Sequence, residues 1–514
     1  MFIYKEMEET KAKELGGRYI KGKKAYRFPA LVHSLRELYK HFPSDAEIIG
    51  LGKKHRSHFE KVKQLKERED CEGDPRLRPY QRVDLDFLKR LKHCAIFWEM
   101  RLGKTPLTIR LIEENEYRAG IFVVPATLLY TWEAEIKKWS NRECVVIRGD
   151  KKRRKKLYQK HMNREDLIIS YETLRNDVDE FVTTQFDFMV LDEAHKIKNH
   201  KVDLSKAVYS VGGHSNHRIA LTGTPASNKL HELFGILHFV NPGLFPSYWG
   251  FVERYFEIEK SYKHSGKDVG ALIREKELLE LLYRISVQRK QSEVLHWLPE
   301  KTYQTITVPL GEKQQKHYDE MLEYYQTGEV DTIGSLDQLT RLRQICTCPE
   351  LLNLDCENAK QEALIQYIEE NKGKPILVFS CFSSYLMKLH AHLYKDYRIH
   401  TITGKVSVEN RQKYVDMFQR GDLDILLCNI QAAGVGLTLD KADTAIFLDR
   451  HFNPALNDQA ESRIVPTTKE KAHGIHIIDI TTRDTVDARI NNLLLAKIYL
   501  TKSVNNYRDY LFTK

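Results

Sequence analysis

Phe188-Met189-Val190-Leu191-Asp192-Glu193-Ala194-His195 is an apolar run of strand length that ends in two carboxylates. In an open parallel sheet, polar residues in that position stand at the carboxyl end of a strand, where ligands bind. Cys94-Ala95-Ile96-Phe97, Gly120-Ile121-Phe122-Val123-Val124 and Asp166-Leu167-Ile168-Ile169 are runs of the same kind, separated by helix-length segments. Apolar strands alternating with helices predict a parallel sheet covered on both faces. The same grammar returns at Ile376-Leu377-Val378-Phe379, Ile425-Leu426-Leu427, Ala445-Ile446-Phe447-Leu448 and His476-Ile477-Ile478. Between the two sets, the sequence is charged, longer-patterned and helical. The fold class is α/β: a first parallel-sheet lobe at residues 77–240, a helical insertion at 241–350, and a second lobe with carboxyl-terminal helices at 351–514.

Ahead of these lies a basic segment. Residues 10–68 hold sixteen Lys/Arg against six Asp/Glu, within a chain of formal charge +10. Such a concentration suits a polyanion, because neutralising phosphates releases counterions. Arg18-Tyr19-Ile20 and Ala25-Tyr26-Arg27-Phe28 read as strands around a Gly22-Lys23 turn. Leu31, Leu35, Leu38 and Phe42 then recur at helical spacing. Residues 1–68 are therefore a small α+β module, and acidic residues 69–76 a linker. The run Lys151-Lys152-Arg153-Arg154-Lys155-Lys156 reads as a solvated loop, with a second nucleic-acid contact as the other reading.

No stretch of about 18 apolar residues is present to span a membrane, and the first fourteen residues hold no apolar signal core, so neither a membrane protein nor a secreted one is expected. The eight cysteines are scattered, which fits reduced thiols in a cytosol. Cys346, Cys348 and Cys356 match no usual zinc spacing, and no zinc is expected.

Leu102-Gly103-Lys104-Thr105 places a glycine, a lysine and a hydroxyl between a strand and a helix. Those are the groups that cradle phosphates, neutralise the terminal ones and hold magnesium. The strict phosphate-loop pattern fails, because Trp98 occupies its first glycine position. Asp192 completes the set as a Mg²⁺ holder with Thr105, and Glu193 as the base that orients and deprotonates water. Gln459-Ala460-Glu461-Ser462-Arg463 supplies a distant arginine. The cofactors implied are ATP and Mg²⁺.

Taken together, these residues resemble superfamily-two motors and, within them, Swi/Snf-type double-stranded-DNA translocases, over residues 77–499. Asp192-Glu193-Ala194-His195 corresponds to the superfamily's DEAH box. Leu77-Arg78-Pro79-Tyr80-Gln81 looks like the adenine-side motif, Val124-Pro125-Ala126-Thr127-Leu128 with Trp132 like the next segment, and Ser170-Tyr171-Glu172-Thr173-Leu174 like the strand-contacting one. Leu221-Thr222-Gly223-Thr224-Pro225 resembles the coupling motif. The inter-lobe stretches Arg289-Lys290-Gln291-Ser292-Glu293-Val294-Leu295, Leu298-Pro299-Glu300-Lys301 and Leu339-Thr340-Arg341-Leu342-Arg343-Gln344-Ile345-Cys346 are similar to family-specific blocks. So are Gly434-Val435-Gly436-Leu437-Thr438-Leu439 and Phe452-Asn453-Pro454-Ala455 in the second lobe.

The resemblance implies two RecA-like lobes with ATP between them. Arg78, Gln81, Gly103, Lys104, Thr105, Gly436, Gln459 and Arg463 would bind ATP, and Lys104, Asp192, Glu193 and Arg463 would carry catalysis. Thr127, Ser170, Tyr171, Gly434 and Thr438 would contact the DNA backbone, and His195, Thr222 and Thr224 would couple the two. The partner is double-stranded or branched DNA, tracked by a monomeric motor; protein partners are not specified. Gly17-Arg18-Tyr19 followed by Lys24-Ala25-Tyr26-Arg27-Phe28-Pro29 resembles the HARP module of annealing helicases, which nominates Arg18, Lys24 and Arg27 for junction DNA and points to replication or repair.

The sequence departs from the family at three places. Arg101 stands where a glycine is usual, a histidine after the Arg343 helix gives way to Cys348-Pro349, and Pro466 replaces a second arginine. An arginine finger is worth about 10³–10⁵ in rate; Arg450 and Arg489 lie in the same lobe, but spacing alone nominates neither. Three readings follow: a duplex translocase that remodels or anneals forks, a strand-separating helicase, and a nucleotide-gated DNA-binding switch with weak turnover. A cytoplasmic prokaryotic or phage protein acting at the nucleoid is expected.

Overall fold

β1 (Phe2–Lys5), β2 (Arg18–Ile20) and β3 (Ala25–Pro29) form an antiparallel sheet in the order β1-β3-β2. This is a computed structural model, and it describes residues 2–8, 11–12, 15, 17–20, 24–29, 31–226, 229–260, 267–326, 335–433, 437–466, 468–469, 473–490 and 494. The Gly22-Lys23 turn lies outside them. The β2/β3 pair and the helix Val32–His41 match the expected hairpin and helix; β1 and the long helix Ala46–Lys66 add to them. The Asp45 carboxylate caps that second helix by accepting the N–H groups of Glu47 and Ile48. Ile3, Phe28, Leu35, Leu38 and Ile48 close a small core of their own.

The chain forms two compact units, residues 1–290 and 291–500. In the first, seven strands follow: β4 (His93–Trp98), β5 (Ile121–Val124), β6 (Cys144–Val146), β7 (Asp166–Ser170), β8 (Phe186–Leu191) and β9 (Ser215–Leu221), then, after a hairpin of β10 (Phe256–Lys260) and β11 (Lys267–Leu272), β12 (Ser286–Arg289). The sheet order is β12-β4-β9-β8-β5-β7-β6, and every neighbouring pair is parallel. All residues of β5 and β7 are buried, as strands covered on both faces require.

In the second unit, β13 (Lys301–Val308), β14 (Ile376–Ser380), β15 (Ile399–Ile402), β16 (Ile425–Asn429), β17 (Thr444–Phe447) and β18 (Ile475–Thr482) make a parallel sheet in the order β13-β18-β17-β14-β16-β15. Both units thus carry the expected parallel-sheet lobe. The stretch between them, read as helical, is helical at Glu275–Ile285, Glu312–Gln326 and Ser335–Thr347. It also gives an edge strand to each sheet: β12 to the first and β13 to the second. The mixed polarity of both edge strands hides them from a reading of apolar runs.

Residues 69–76, expected as a linker, carry ion pairs: Asp70 pairs with Arg82, and Asp74 with Arg76 and Arg110. These partners hold the Asp74 carboxyl down at about 2. The basic run is a helix, Lys151–His161, not a loop. Asp150 caps it, and Arg154 makes a bidentate bond to Asp177 at 2.6 and 2.7 Å. Among the described residues no helix is long and apolar enough to cross a membrane, and no group of three or more His, Cys, Asp or Glu could hold a metal ion. Cys346 and Cys348 are core residues.

Candidate functional site

Parallel strands send all their carboxyl ends to one side of a sheet, and in the first unit this gathers residues scattered through the sequence. Lys104 and Thr105 follow β4, Thr222 and Thr224 follow β9, Asp192 and Glu193 follow β8, Thr127 follows β5, and β7 ends on Ser170. Five adjacent strands therefore present the predicted residues along one rim.

The Gly103-Lys104-Thr105 loop is held from outside. Gly103 takes a left-handed φ of 84°, and a Cβ there would lie 2.4 Å from the Gln81 amide nitrogen. Gln81 accepts the N–H of Arg78 and donates to the Leu102 carbonyl at 2.9 Å, with the Tyr80 hydroxyl on the same carbonyl. The motif read as adenine-side thus clamps the loop with Gln81 buried, while Arg78 is exposed. Lys104 begins the helix Lys104–Glu114 and donates Nζ–H to the carbonyls of Trp98 and Glu99 at 2.9 and 3.2 Å. Trp98, where the strict pattern has glycine, is fully buried edge-on against Tyr80. Arg101 is left-handed as well, with φ 62°, which is the physical reason a glycine is usual there.

Asp192 is buried at the end of β8, and its carboxylate accepts the Trp132 indole N–H and the Glu193 backbone N–H, both at 2.9 Å. Burial, then the neighbouring Glu193 charge, push its carboxyl up to about 6, against the opposing pull of Trp132 and Lys104. Such a group gains from a cation. Oxygen donors from Asp192 and Thr105 suit a hard divalent ion, so the residues fit magnesium. Glu193 is held at a left-handed φ of 52°, a strained position of the kind that clusters at functional sites. Its carboxylate lies 3.3 Å from His195 Nδ1, which is 3.3 Å from the Thr222 hydroxyl; that oxygen in turn accepts the Thr224 N–H. The three residues expected to couple are one continuous chain leading away from Glu193.

Two nominations for the DNA track do not hold as surface contacts. Tyr171 is fully buried and donates its hydroxyl to the Asp192 carbonyl at 2.8 Å. Ser170 is buried too, its hydroxyl capping the helix Tyr171–Asn176 at the Thr173 N–H. Tyr171 braces the acidic strand end, and Ser170 caps its own helix. Thr127 is exposed, on a turn after β5. Lys24 is exposed at a left-handed turn position (φ 47°), and Arg18 and Arg27 are register partners on β2 and β3.

In the second unit, Gly434 and Gly436 lie outside the described residues. The Thr438 carbonyl accepts the Gln419 amide. Gln459 is buried on the helix Pro454–Glu461, and Arg463 follows it, donating to the Leu437 carbonyl at 3.0 Å. Arg450 is not an available finger: it is held by Asp479 at 2.6 and 2.9 Å and by Glu461 at 2.7 Å. Arg489 is exposed. Sequence reasoning gave no role to Trp132 or Asp84; a buried tryptophan N–H has to find a partner, but nothing in the sequence says which.

Profiles of the SNF2-related domain and of the helicase conserved C-terminal domain match residues 55–360 and 359–465 respectively. The chain is 28% identical over 466 residues to the chromodomain-helicase-DNA-binding protein 1-like of Mus musculus, covering 84% of this chain and 50% of that protein. It is 27% identical over 464 residues to the putative ATP-dependent helicase/translocase YwqA of Bacillus subtilis (strain 168), covering 85% and 49%. The chain spans about half the length of these curated relatives. A solved structure, the Sulfolobus solfataricus SWI2/SNF2 ATPase core in complex with dsDNA, is similar at 25% identity with TM-score 0.41, covering 87% of this chain and 96% of that one.

Proposed function

Because the chain belongs to the SNF2-related family, we propose that it is a DNA-dependent ATPase that tracks along duplex DNA and remodels or anneals branched DNA. The observation that carries the reading is the rim of the first sheet, where a glycine-lysine-threonine loop and a cation-seeking Asp192 end strands separated only by β9. Lys104 neutralises the terminal phosphates after leaving its loop carbonyls. Thr105 and Asp192 would hold magnesium, which would supply charge withdrawal from the phosphates. Glu193 orients the attacking water and takes its proton, while Gln81 keeps the loop in shape. The chain His195-Thr222-Thr224 passes the state of Glu193 toward the end of β9. Arg463 stabilises the charge that develops on the transferred phosphoryl group. Gly436 and Gln459 are further nucleotide contacts, and Thr127, Gly434 and Thr438 touch backbone phosphate, a kind of contact that positions without reading sequence. Arg18, Lys24 and Arg27 hold the branch.

The test is ATP turnover on the full chain with no nucleic acid, single strands, duplex and a fork, at two salt concentrations. Stimulation by duplex or fork that weakens with salt is expected. Stimulation by single strands alone would replace this reading with a strand-separating helicase. Silence on every substrate, with DNA affinity still dependent on nucleotide, would make the chain a switch.

A further inference from the structure

The carboxyl end of β12 is bolted to the phosphate loop at two points by one residue. The Arg289 carbonyl accepts the Glu99 N–H at 3.0 Å. Its guanidinium makes a bidentate bond to the buried Asp84 at 2.6 and 3.0 Å. Asp84 also accepts the indole N–H of Trp98 at 2.9 Å. The carbonyls of Trp98 and Glu99 are those that hold Lys104 Nζ. Arg289 therefore grips both residues from which the phosphate-binding lysine hangs.

The other end of this network belongs to the amino-terminal module. Lys66, in the last turn of the helix Ala46–Lys66, is 5% exposed. Its ammonium donates to the Tyr283 carbonyl and to the Ser286 carbonyl at 2.6 Å, over the rings of Phe87 and Tyr283. Its own carbonyl is 3.4 Å from the Arg289 guanidinium. A lysine so deeply buried is costly to keep, which argues for a positional task. The module is seated firmly enough to transmit one: Glu280 accepts the N–H groups of Val32 and His33 at 2.9 and 3.0 Å, and Glu277 the Ser34 hydroxyl at 2.7 Å. Those two glutamates lie on the helix Glu275–Ile285, which runs directly into β12.

We propose that Arg289, Asp84 and Lys66 are positioning residues through which the seated amino-terminal module sets the phosphate loop for nucleotide. The inference rests on the reading of residues 103–105 as the nucleotide site. The module is then a control element of ATP affinity as well as a DNA-binding arm. When DNA draws on the module, the tension reaches Lys104 through Lys66, Arg289 and Trp98 inside a single unit.

The experiment measures magnesium-ATP affinity by calorimetric titration on the full chain, below each variant's melting temperature, alongside affinity for a plain duplex. Arg289→Ala and Asp84→Asn weaken ATP binding about tenfold, within the range of coupling energies along packed networks. Arg289→Lys, which keeps the charge and the carbonyl, recovers part of the loss. Lys66→Met, remote from any phosphate, weakens ATP binding about threefold while duplex affinity is unchanged, and its effect combines less than additively with that of Arg289→Ala. Wild-type ATP affinity in the folded Lys66→Met and Arg289→Lys proteins would overturn the proposal, whatever their melting temperatures. If the wild type and Lys104→Ala bind ATP equally weakly, the nucleotide reading beneath it falls instead.

Discussion

Asp192 and Asp449 occupy matching places, each just past a buried strand of a parallel sheet, yet the chain treats them in opposite ways. Asp449 follows β17 and is fully furnished: Arg343 at 3.0 Å, the Ser380 hydroxyl at 2.5 Å and the Cys381 N–H at 3.0 Å. Asp192 follows β8 and receives two neutral N–H groups beside a second carboxylate, Glu193. A buried acid that is paired holds a fold together, whereas one left short of positive charge is prepared for a ligand. One fold grammar thus yields a structural joint in the second lobe and a cation-seeking site in the first.

The sharpest break in that comparison is chemical. Glu193→Gln is expected to cut ATP turnover by about 10²–10⁴-fold, the usual worth of a positioned acid–base group, while nucleotide binding survives. Lys104→Ala should lose both. A Glu193→Gln protein with wild-type turnover would show the first lobe's acids to be as structural as the second's.

Stability should respond the other way round. Arg343→Ala leaves Asp449 buried and unpaired, and denaturant unfolding should show a loss of about 3–5 kcal/mol. Asp192→Asn should leave the protein at least as stable as wild type at pH 7.5. The carboxyl's pKa is about 6 in the fold against 3.8 when unfolded, so its ionisation costs stability above about pH 6 and that cost disappears as pH falls below 3.8. Equal losses for the two variants would erase the distinction.

A smaller effect sharpens the same point through pH. Magnesium competes with the proton for Asp192, so at limiting magnesium turnover should rise with pH through about 6, and added magnesium should move that rise to lower pH. Trp132→Phe removes a hydrogen bond that favours the ionised carboxylate, which should move the rise to higher pH. A midpoint that ignores magnesium would assign the titration elsewhere. Least of all, Arg101→Gly should relieve a left-handed backbone (φ 62°) and raise stability by about 1 kcal/mol in a thermal melt.

Much of this was legible before any coordinates. The apolar runs at β4, β5, β7 and β8, separated by helix-length segments, specify a parallel sheet because period and burial leave few alternatives. Gly103, Lys104, Asp192 and Glu193 are then placed by topology alone. Tyr171 and Ser170 differ from the expectation because a motif records which residues recur, not which way a side chain turns: Tyr171 turns inward to the Asp192 carbonyl, and Ser170 caps the helix at the Thr173 N–H. The strands β12 and β13 were missed because an edge strand pairs on one side only and need not be apolar throughout; β13 is largely exposed.

The sequence by itself determined the two sheets, the place of the Gly103-Lys104-Thr105 loop and the acidic strand end, since these follow from local pattern and chain order. Only the tertiary structure decided which charges are spoken for. Arg450 is claimed by Asp479 and Glu461, Arg343 by Asp449, and Arg289 by Asp84, whereas Asp192 meets neutral donors. Pairings between residues as much as 205 positions apart are set by how strands and helices pack, and a charge's energy depends on its nearest neighbours in space.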